Sequence, residues 1–303
     1  MFFSYDVFIK LLLKCGRLQY ATKEIRRGGL LFHRSTTQKW SQRFLSDSGL
    51  QEPAQDLILC EEPLEIRALG EPLVTTMRTP GDDHKLAVGF LFAEGLIRSL
   101  DDLLTVTHCG HPGEEGYGNV LEITPANHVD LSLDDRLTRR GTISTSSCGV
   151  CGRQSIQQLL SLCGTVSKRG KIAAPLLASS TEKLRAFQRA FSVTGGSHAA
   201  VALDHAGSPL CGYEDIGRHN AVDKVIGALL YEKKLEEAFI LVVSGRVSFE
   251  IIQKAAVAKI PVVTSISAAS SMAIELAEQA NITLAAFVRN GGFTLYTHPE
   301  RLT

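Results

Sequence analysis

Phe239-Ile240-Leu241-Val242-Val243-Ser244-Gly245-Arg246 is an apolar run that stops on small polar residues; an amphipathic stretch, Ser248 to Ala258, and a second apolar run, Pro261 to Ile266, follow it. A continuously apolar strand has no solvent face and must be covered on both sides. Such runs alternating with helical patterns predict an α/β layer sandwich with buried parallel strands. The pattern extends in both directions. Downstream, helix is expected over Ser270 to Gln279 and strand over Ile282 to Val288 and Phe293 to Thr297. Upstream, Val222, Val225, Ile226 and Leu229 recur at helical spacing within Asn220 to Tyr231, and Ala199 to Leu203 with Leu210 to Tyr213 reads as a hairpin.

The first half is richer in strand. Leu57 to Cys60, Leu64 to Ala68 and Leu73 to Arg78 are expected strands, the last two joined by a turn at Gly70-Glu71. Thr79-Pro80-Gly81-Asp82-Asp83 stops the third strand and opens a helix over Leu86 to Leu96, whose Glu94 reads as a solvated surface carboxylate. Strands are expected again over Leu103 to Thr107, Asn119 to Thr124 and Val129 to Leu133. A helix over Gln154 to Leu162, an irregular stretch over Lys168 to Ser180 and a helix over Thr181 to Phe191 complete the chain. The organisation predicted is a basic extension and linker over 1–55, a smaller, mainly β N-terminal subdomain over 56–147, and a cysteine loop with an α/β cofactor-binding domain over 148–303.

Lys plus Arg and Asp plus Glu number 32 each, so the overall charge gives no reason to expect a nucleic-acid partner. Residues 1–45 are basic, with nine Lys or Arg against Asp6 and Glu24. Their apolar run, Val7 to Cys15, is interrupted by lysine and falls short of the ~20 residues a bilayer demands, so no membrane association is expected. Asp6 in front of the run and Lys14 beside Cys15 do not fit a secretory signal. Seven cysteines with one close pair do not make a disulfide framework, and a reducing cytoplasm fits best.

That close pair is Cys148 and Cys151, in Thr142-Ile143-Ser144-Thr145-Ser146-Ser147-Cys148-Gly149-Val150-Cys151-Gly152-Arg153. Amides at a helix start and the Arg153 guanidinium would both stabilise a thiolate, the reactive form of cysteine. Reactive, metal-binding and inert readings of the pair all remain open on spacing alone. A different short cluster, His108-Cys109-Gly110-His111, lacks a second ligand pair and reads as a loop.

Small polar residues close each expected strand of the second half: Glu214 to Asn220, Ser244-Gly245-Arg246, Ser265-Ile266-Ser267 and Arg289-Asn290-Gly291-Gly292. Ligands of open α/β sheets bind at such strand ends, and Arg218, Arg246 and Arg289 recurring there point to an anion such as phosphate or pyrophosphate. The competing reading is that each arginine braces a loop through Glu214, Asp215, Asp223 or Glu250. His198 and His219, near two of the ends, are candidates for proton transfer.

Several stretches resemble the FdhD family of formate dehydrogenase accessory proteins. They are Glu61 to Ile66, Thr79 to Asp83, Gly89 to Gly95, Ser146 to Gly152, Gly195 to Ala200, Glu214 to Lys224, Ser244 to Arg246 and Tyr296 to Arg301, in the family's order. The resemblance implies a three-layer α/β/α sandwich of cytidine-deaminase-like type and a cytoplasmic homodimer. It implies a sulfur carrier that moves persulfide sulfur from a cysteine desulfurase to the molybdenum bis(molybdopterin guanine dinucleotide) cofactor, a bound client destined for formate dehydrogenase. The persulfide would ride on Cys148 or Cys151. The cofactor contacts would fall on Phe287, Val288, Arg289, Asn290, Gly291 and Gly292, on the rim where Arg246, Arg218 and His219 had already been marked. No permanent metal is expected. Residues 1–45 have no clear family counterpart, and Ser197 stands where the family pattern has Thr. Two alternatives stay open: a non-catalytic cofactor chaperone, and a zinc-dependent deaminase-like hydrolase. The hydrolase would need a His-x-Glu or Cys-x-Glu in a strand-to-helix context, and none is found.

Overall fold

The computed structural model describes residues 35–111, 114, 117–129, 164–167 and 170–303. In chain order the first elements are β1 (Thr36–Ser41), β2 (Phe44–Leu45), β3 (Gly49–Leu50) and β4 (Ala54–Leu59). There follow β5 (Glu62–Ala68), β6 (Glu71–Arg78), α1 (Asp83–Ala93), β7 (Leu103–His108) and β8 (Val120–Pro125). The remainder comprises α2 (Ala174–Ser179), α3 (Arg189–Thr194), β9 (His198–Leu203), β10 (Pro209–Asp215), α4 (Arg218–Tyr231), β11 (Ile240–Val243), α5 (Phe249–Val257), β12 (Val262–Ser265), α6 (Ser271–Gln279), β13 (Thr283–Arg289) and β14 (Gly292–Leu295).

Two sheets dominate. The larger has the order β10-β9-β11-β12-β13-β14 and the smaller β6-β5-β8-β7. In the larger sheet β11, β12 and β13 run parallel, with Ile240 opposite Val262 and Val262 opposite Thr283, as the apolar runs predict. Alternation along the strands sorts side chains between two cores. Ala200, Ala202, Leu241 and Val243 face one core with α4, α5 and α6, while Ala199, Val201, Ile240 and Val242 face the other with Leu177 of α2 and Leu184. Helices therefore cover both faces of the larger sheet.

The smaller sheet shares the first of these cores. Leu64, Ile66, Leu121 and Ile123 belong to the same buried cluster as Leu86 and Leu91 of α1 and Val222 and Ile226 of α4. The junction is the crossing of α1 over α4, where two glycines let the backbones meet. A Cβ on Gly89 would lie 1.9 Å from the Asp223 carbonyl oxygen, and one on Gly227 would lie 2.0 Å from that of Lys85. No side chain fits at either position.

Three local expectations differ from the structure. Residues 36–41, expected in a linker, form β1, which pairs along its length with β4. The irregular stretch ahead of Ser180 contains α2, whose Pro175 sits in the first turn, where a missing N–H costs nothing. The helix expected over Thr181 to Phe191 is divided into a 3₁₀ segment, Ser180–Phe187, and α3. Glu214 explains the break: its carboxylate accepts from the amides of Ala190 and Phe191 at 2.7 and 2.8 Å, satisfying the start of a separate helix. Val129 is outside any strand, and 130–133 and the expected helix over Gln154 to Leu162 lie outside the described residues.

Candidate functional site: a cationic rim at the strand ends

Because β9 is antiparallel to both of its neighbours, β10 and β11 run in the same sense as β12 and β13. Four carboxyl ends, at Asp215, Val243, Ser265 and Arg289, thus share one rim with His198 at the start of β9. Arg218 opens α4 just beyond β10, and Arg246 follows β11.

The rim gathers the guanidinium groups of Arg218 and Arg246 with the imidazole rings of His198 and His219. Burial holds the His198 pKa below its usual value, and repulsion from Arg218, His219 and Arg246 adds to the effect against attraction from Asp215. Burial likewise lowers the Arg218 pKa, with Arg246 contributing. Gly245 lets these side chains close together, since a Cβ there would stand 3.1 Å from His198 Nδ1 and 3.4 Å from Arg218 Cβ. Arg218 Nε is buried and has no hydrogen-bond partner. An orphaned cationic donor of this kind calls for an acceptor.

The carboxylates that could have braced the arginines are engaged elsewhere. Glu214 accepts from the Ser197 hydroxyl and from the α3 amides. Asp215 pairs with Lys224 at 2.7 Å, Asp223 with Lys254 at 2.7 Å, and Glu250 with His219 at 2.9 Å. His219 Nε2 is also 3.0 Å from Ser248 Oγ, and it is the hydrogen bond from His219 to Glu250, above all, that holds the Glu250 carboxyl down at about 2. Among the described residues these carboxylates are met by lysines, a histidine, a hydroxyl and backbone amides rather than by an arginine, and Glu250 acts on Arg218 only from beyond ion-pair distance.

Arg289 lies on the same edge, two strand spacings or about 10 Å beyond β11. Asn290 and Gly291 turn the chain into β14 with φ of 54° and 72°, the left-handed pair of a two-residue hairpin, and Arg289 faces Gly292 across it. Phe287 also has a left-handed φ, 54°, at a register shift, and its ring stays substantially exposed. A bulky residue in that region is strained and marks a candidate contact. Val288 differs from its neighbours in the predicted contact set: its side chain is wholly buried in the core, and its carbonyl accepts from Thr181 Oγ1 at 2.9 Å. It can therefore shape the rim only through the backbone.

Sequence reasoning missed the support beneath the rim. Thr79 donates its amide to Asp215 Oδ2 and accepts the Ile216 amide on its hydroxyl, at 3.2 and 3.1 Å, tying the turn before α1 to the turn before α4. Ser248, expected only to open a helix, also meets His219 Nε2 through its hydroxyl. Glu94, expected at the solvated surface, is instead half-buried and acts on the enclosed Asp223–Lys254 pair. The α1–α4 crossing brings the end of α1 close to that pair. Burial pushes the Asp223 carboxyl up to about 6; burial also works against the Lys254 charge, but Asp223 and Glu94 hold its pKa above the ordinary lysine value.

His108 ends β7, ahead of the expected loop. Its ring stands edge-on to His84 and 3.5 Å from Asp83 Oδ2. Among the described residues no group of three His, Cys, Asp or Glu is placed to hold a metal ion, and no helix is long and apolar enough to cross a membrane. Cys148, Cys151 and Arg153 lie outside the described residues.

Residues 59–303 match the family model described as the FdhD/NarQ family. The chain belongs to the FdhD/NarQ family. Among its curated FdhD relatives is the sulfur carrier protein FdhD of Anaeromyxobacter sp. strain K, 47% identical over 256 residues, covering 82% of this chain and 89% of the relative. The FdhD sulfur carrier of Mycolicibacterium paratuberculosis is 42% identical over 252 residues, covering 82% of this chain and 92% of the relative. A crystal structure described as that of a formate dehydrogenase accessory protein from Desulfotalea psychrophila superposes with a TM-score of 0.69 at 20% identity, over 89% of this chain and all of the other. That likeness speaks to the fold, a mixed α/β arrangement common to the two chains.

Proposed function

We propose that this FdhD/NarQ chain is a sulfur carrier in the maturation of formate dehydrogenase, taking persulfide sulfur from a cysteine desulfurase and passing it to a guanine-dinucleotide molybdenum cofactor held as client on the cationic rim. The observation that carries the reading is that Arg218 and Arg246 form no close ion pair among the described residues, with a buried Arg218 Nε left without a partner, at the strand ends of a chain whose relatives are named sulfur carriers. A pyrophosphate offers the oxygens such donors lack. The exposed Phe287 ring and the amides around Asn290-Gly291 extend the same edge. This reading also keeps the cytidine-deaminase-like description of the sandwich and a cytoplasmic setting.

Sulfur carriage belongs to the Cys148–Cys151 pair in this proposal. Of the three thiols that the structure describes, Cys109 is exposed, while burial pushes Cys211 up to about 12 and Cys60 upward as well, so neither of those two supplies a ready thiolate. The Cys148 thiolate attacks the terminal sulfur of the desulfurase persulfide; a new S–S bond forms at Cys148, the old one breaks, and the desulfurase cysteine leaves as thiolate. Cys151 then either displaces the sulfur toward the client by forming a disulfide with Cys148, releasing it as sulfide, or accepts it in relay.

Incubation with a cysteine desulfurase and cysteine, followed by intact-mass measurement, tests the first step. The parent should gain the mass of a sulfur atom and Cys148→Ala should not; equal uptake by the variant would overturn the assignment. Guanosine diphosphate binding tests the rim separately, with Arg218→Ala and Arg246→Ala each weakening it about tenfold or more. Nucleotide binding without sulfur uptake would favour the non-catalytic chaperone.

A further inference from the structure

Helices α4 and α5 meet through two rungs of paired charge. His219 and Asp223 stand four residues apart on α4, and Glu250 and Lys254 stand four apart on α5, so each pair lines one side of its helix. The lower rung, Lys254 with Asp223, closes at 2.7 Å and is almost wholly buried. The upper rung, His219 with Glu250, closes at 2.9 Å beside the rim, where the Glu250 side chain is half exposed. An ion pair open to water contributes at most ~1 kcal/mol, so the upper rung adds little to stability. The enclosed rung beneath it sets the register of the two helices and brings the upper pair together.

Ser248 reinforces the same contact. It is the N-cap residue of α5, yet its hydroxyl makes no cap hydrogen bond and lies 3.0 Å from His219 Nε2. The Glu250 carboxyl is ionised and cannot donate, so Nε2 carries the proton. That single N–H is already shared between two groups at the start of α5.

Arg218 is the other neighbour of this carboxylate. Its Nε is buried without a hydrogen-bond partner, and the Glu250 charge acts on it from beyond ion-pair distance. Glu214, Asp215 and Asp223 are held by other groups. Glu250 is therefore the acceptor to which Arg218 would turn.

We infer that His219 is a latch, which holds the Glu250 carboxylate away from Arg218 and so keeps the rim open to an anionic ligand. His219 is then a positioning residue that acts through Glu250, rather than one more donor facing the ligand. With the latch removed, the half-exposed carboxylate swings to Arg218, satisfies the orphaned donor and repels an incoming anion. The inference rests on the anion-binding reading of the rim.

Calorimetry with inorganic pyrophosphate on the full chain tests it as a double-mutant cycle. His219→Ala should weaken binding at least about tenfold, Glu250→Gln should bind as tightly as the parent or more so, and the double variant should match Glu250→Gln. A histidine that touched the ligand would cost the same in either background, and a merely structural loss would not be rescued by breaking the same rung from its other side. A crystal structure of His219→Ala without ligand should place Glu250 within ion-pair distance of Arg218. Unchanged binding by His219→Ala, a loss that persists in the double variant, a Glu250→Gln variant weaker than the parent, or a carboxylate that stays clear of Arg218 would each overturn the latch while leaving the rim reading intact. A parent that does not bind pyrophosphate, or that binds it no better than Arg218→Ala does, would overturn both.

Discussion

Lys224 Nζ lies 2.7 Å from Asp215 Oδ2, and both side chains are almost wholly enclosed at the root of the rim. Neither group is left short of partners. Asp215 Oδ1 accepts from the Gly217 amide at 2.8 Å and from Asn220 Nδ2 at 3.0 Å, and Lys224 Nζ donates to the carbonyls of Thr79 and Glu214 at 3.0 and 3.4 Å. The pair therefore fixes the turn that delivers Arg218.

Removing one member leaves the other charged and buried. Lys224→Met should destabilise the fold by about 3–5 kcal/mol in urea denaturation, and Lys224→Met combined with Asp215→Asn should recover part of that loss. A single variant within about 0.5 kcal/mol of the parent would mean that water reaches the pair.

Gly227 is under the opposite kind of constraint, since its neighbour is backbone. Alanine is the better helix former by about 0.5–1 kcal/mol, yet a Cβ 2.0 Å from the Lys85 carbonyl oxygen forces α1 and α4 apart. Gly227→Ala, and Gly89→Ala likewise, should each cost about 1–3 kcal/mol or more. Thermal unfolding of both variants would settle whether the crossing is as tight as drawn, and a raised melting temperature would refute it.

His198 makes the rim sensitive to pH. Its folded-state pKa lies below the usual 6.5, so below that pH the unfolded chain binds more protons than the folded one, and stability falls as pH drops from 6.5 toward the folded value. A bound anion reverses the penalty by favouring the imidazolium. Sulfate, which does not itself titrate in this range, should therefore bind more tightly at pH 5.5 than at pH 7.5 by calorimetry, and His198→Gln should flatten that dependence. An equal slope in the variant would assign the effect to another group.

Much of this was legible in the chain. The apolar runs at 239–243 and 261–266 announced strands buried on both faces, and β11 and β12 are wholly buried because helices do cover both sides. The arginines at successive strand ends could be marked as one rim because strand direction follows from the alternation of strand and helix. Their freedom from ion pairs could not, since Glu214, Asp215, Asp223 and Glu250 were equally available on paper. The division at Gln188 escaped notice because its cause, Glu214, is distant in sequence.

The sequence by itself determined the α/β class, the family and the run of parallel strands from Ile240 to Arg289 with Arg246 and Arg289 at their ends, because periodicity, turn chemistry and collinear motifs are local or one-dimensional properties. Only the tertiary structure decided which carboxylate each cation meets, that Gly89 and Gly227 lie at one crossing, that Val288 turns into the core and that β1 pairs with β4. Those outcomes depend on distances between segments far apart in the chain. Charge pairing and close packing are settled there, over a few ångströms, after the elements have docked.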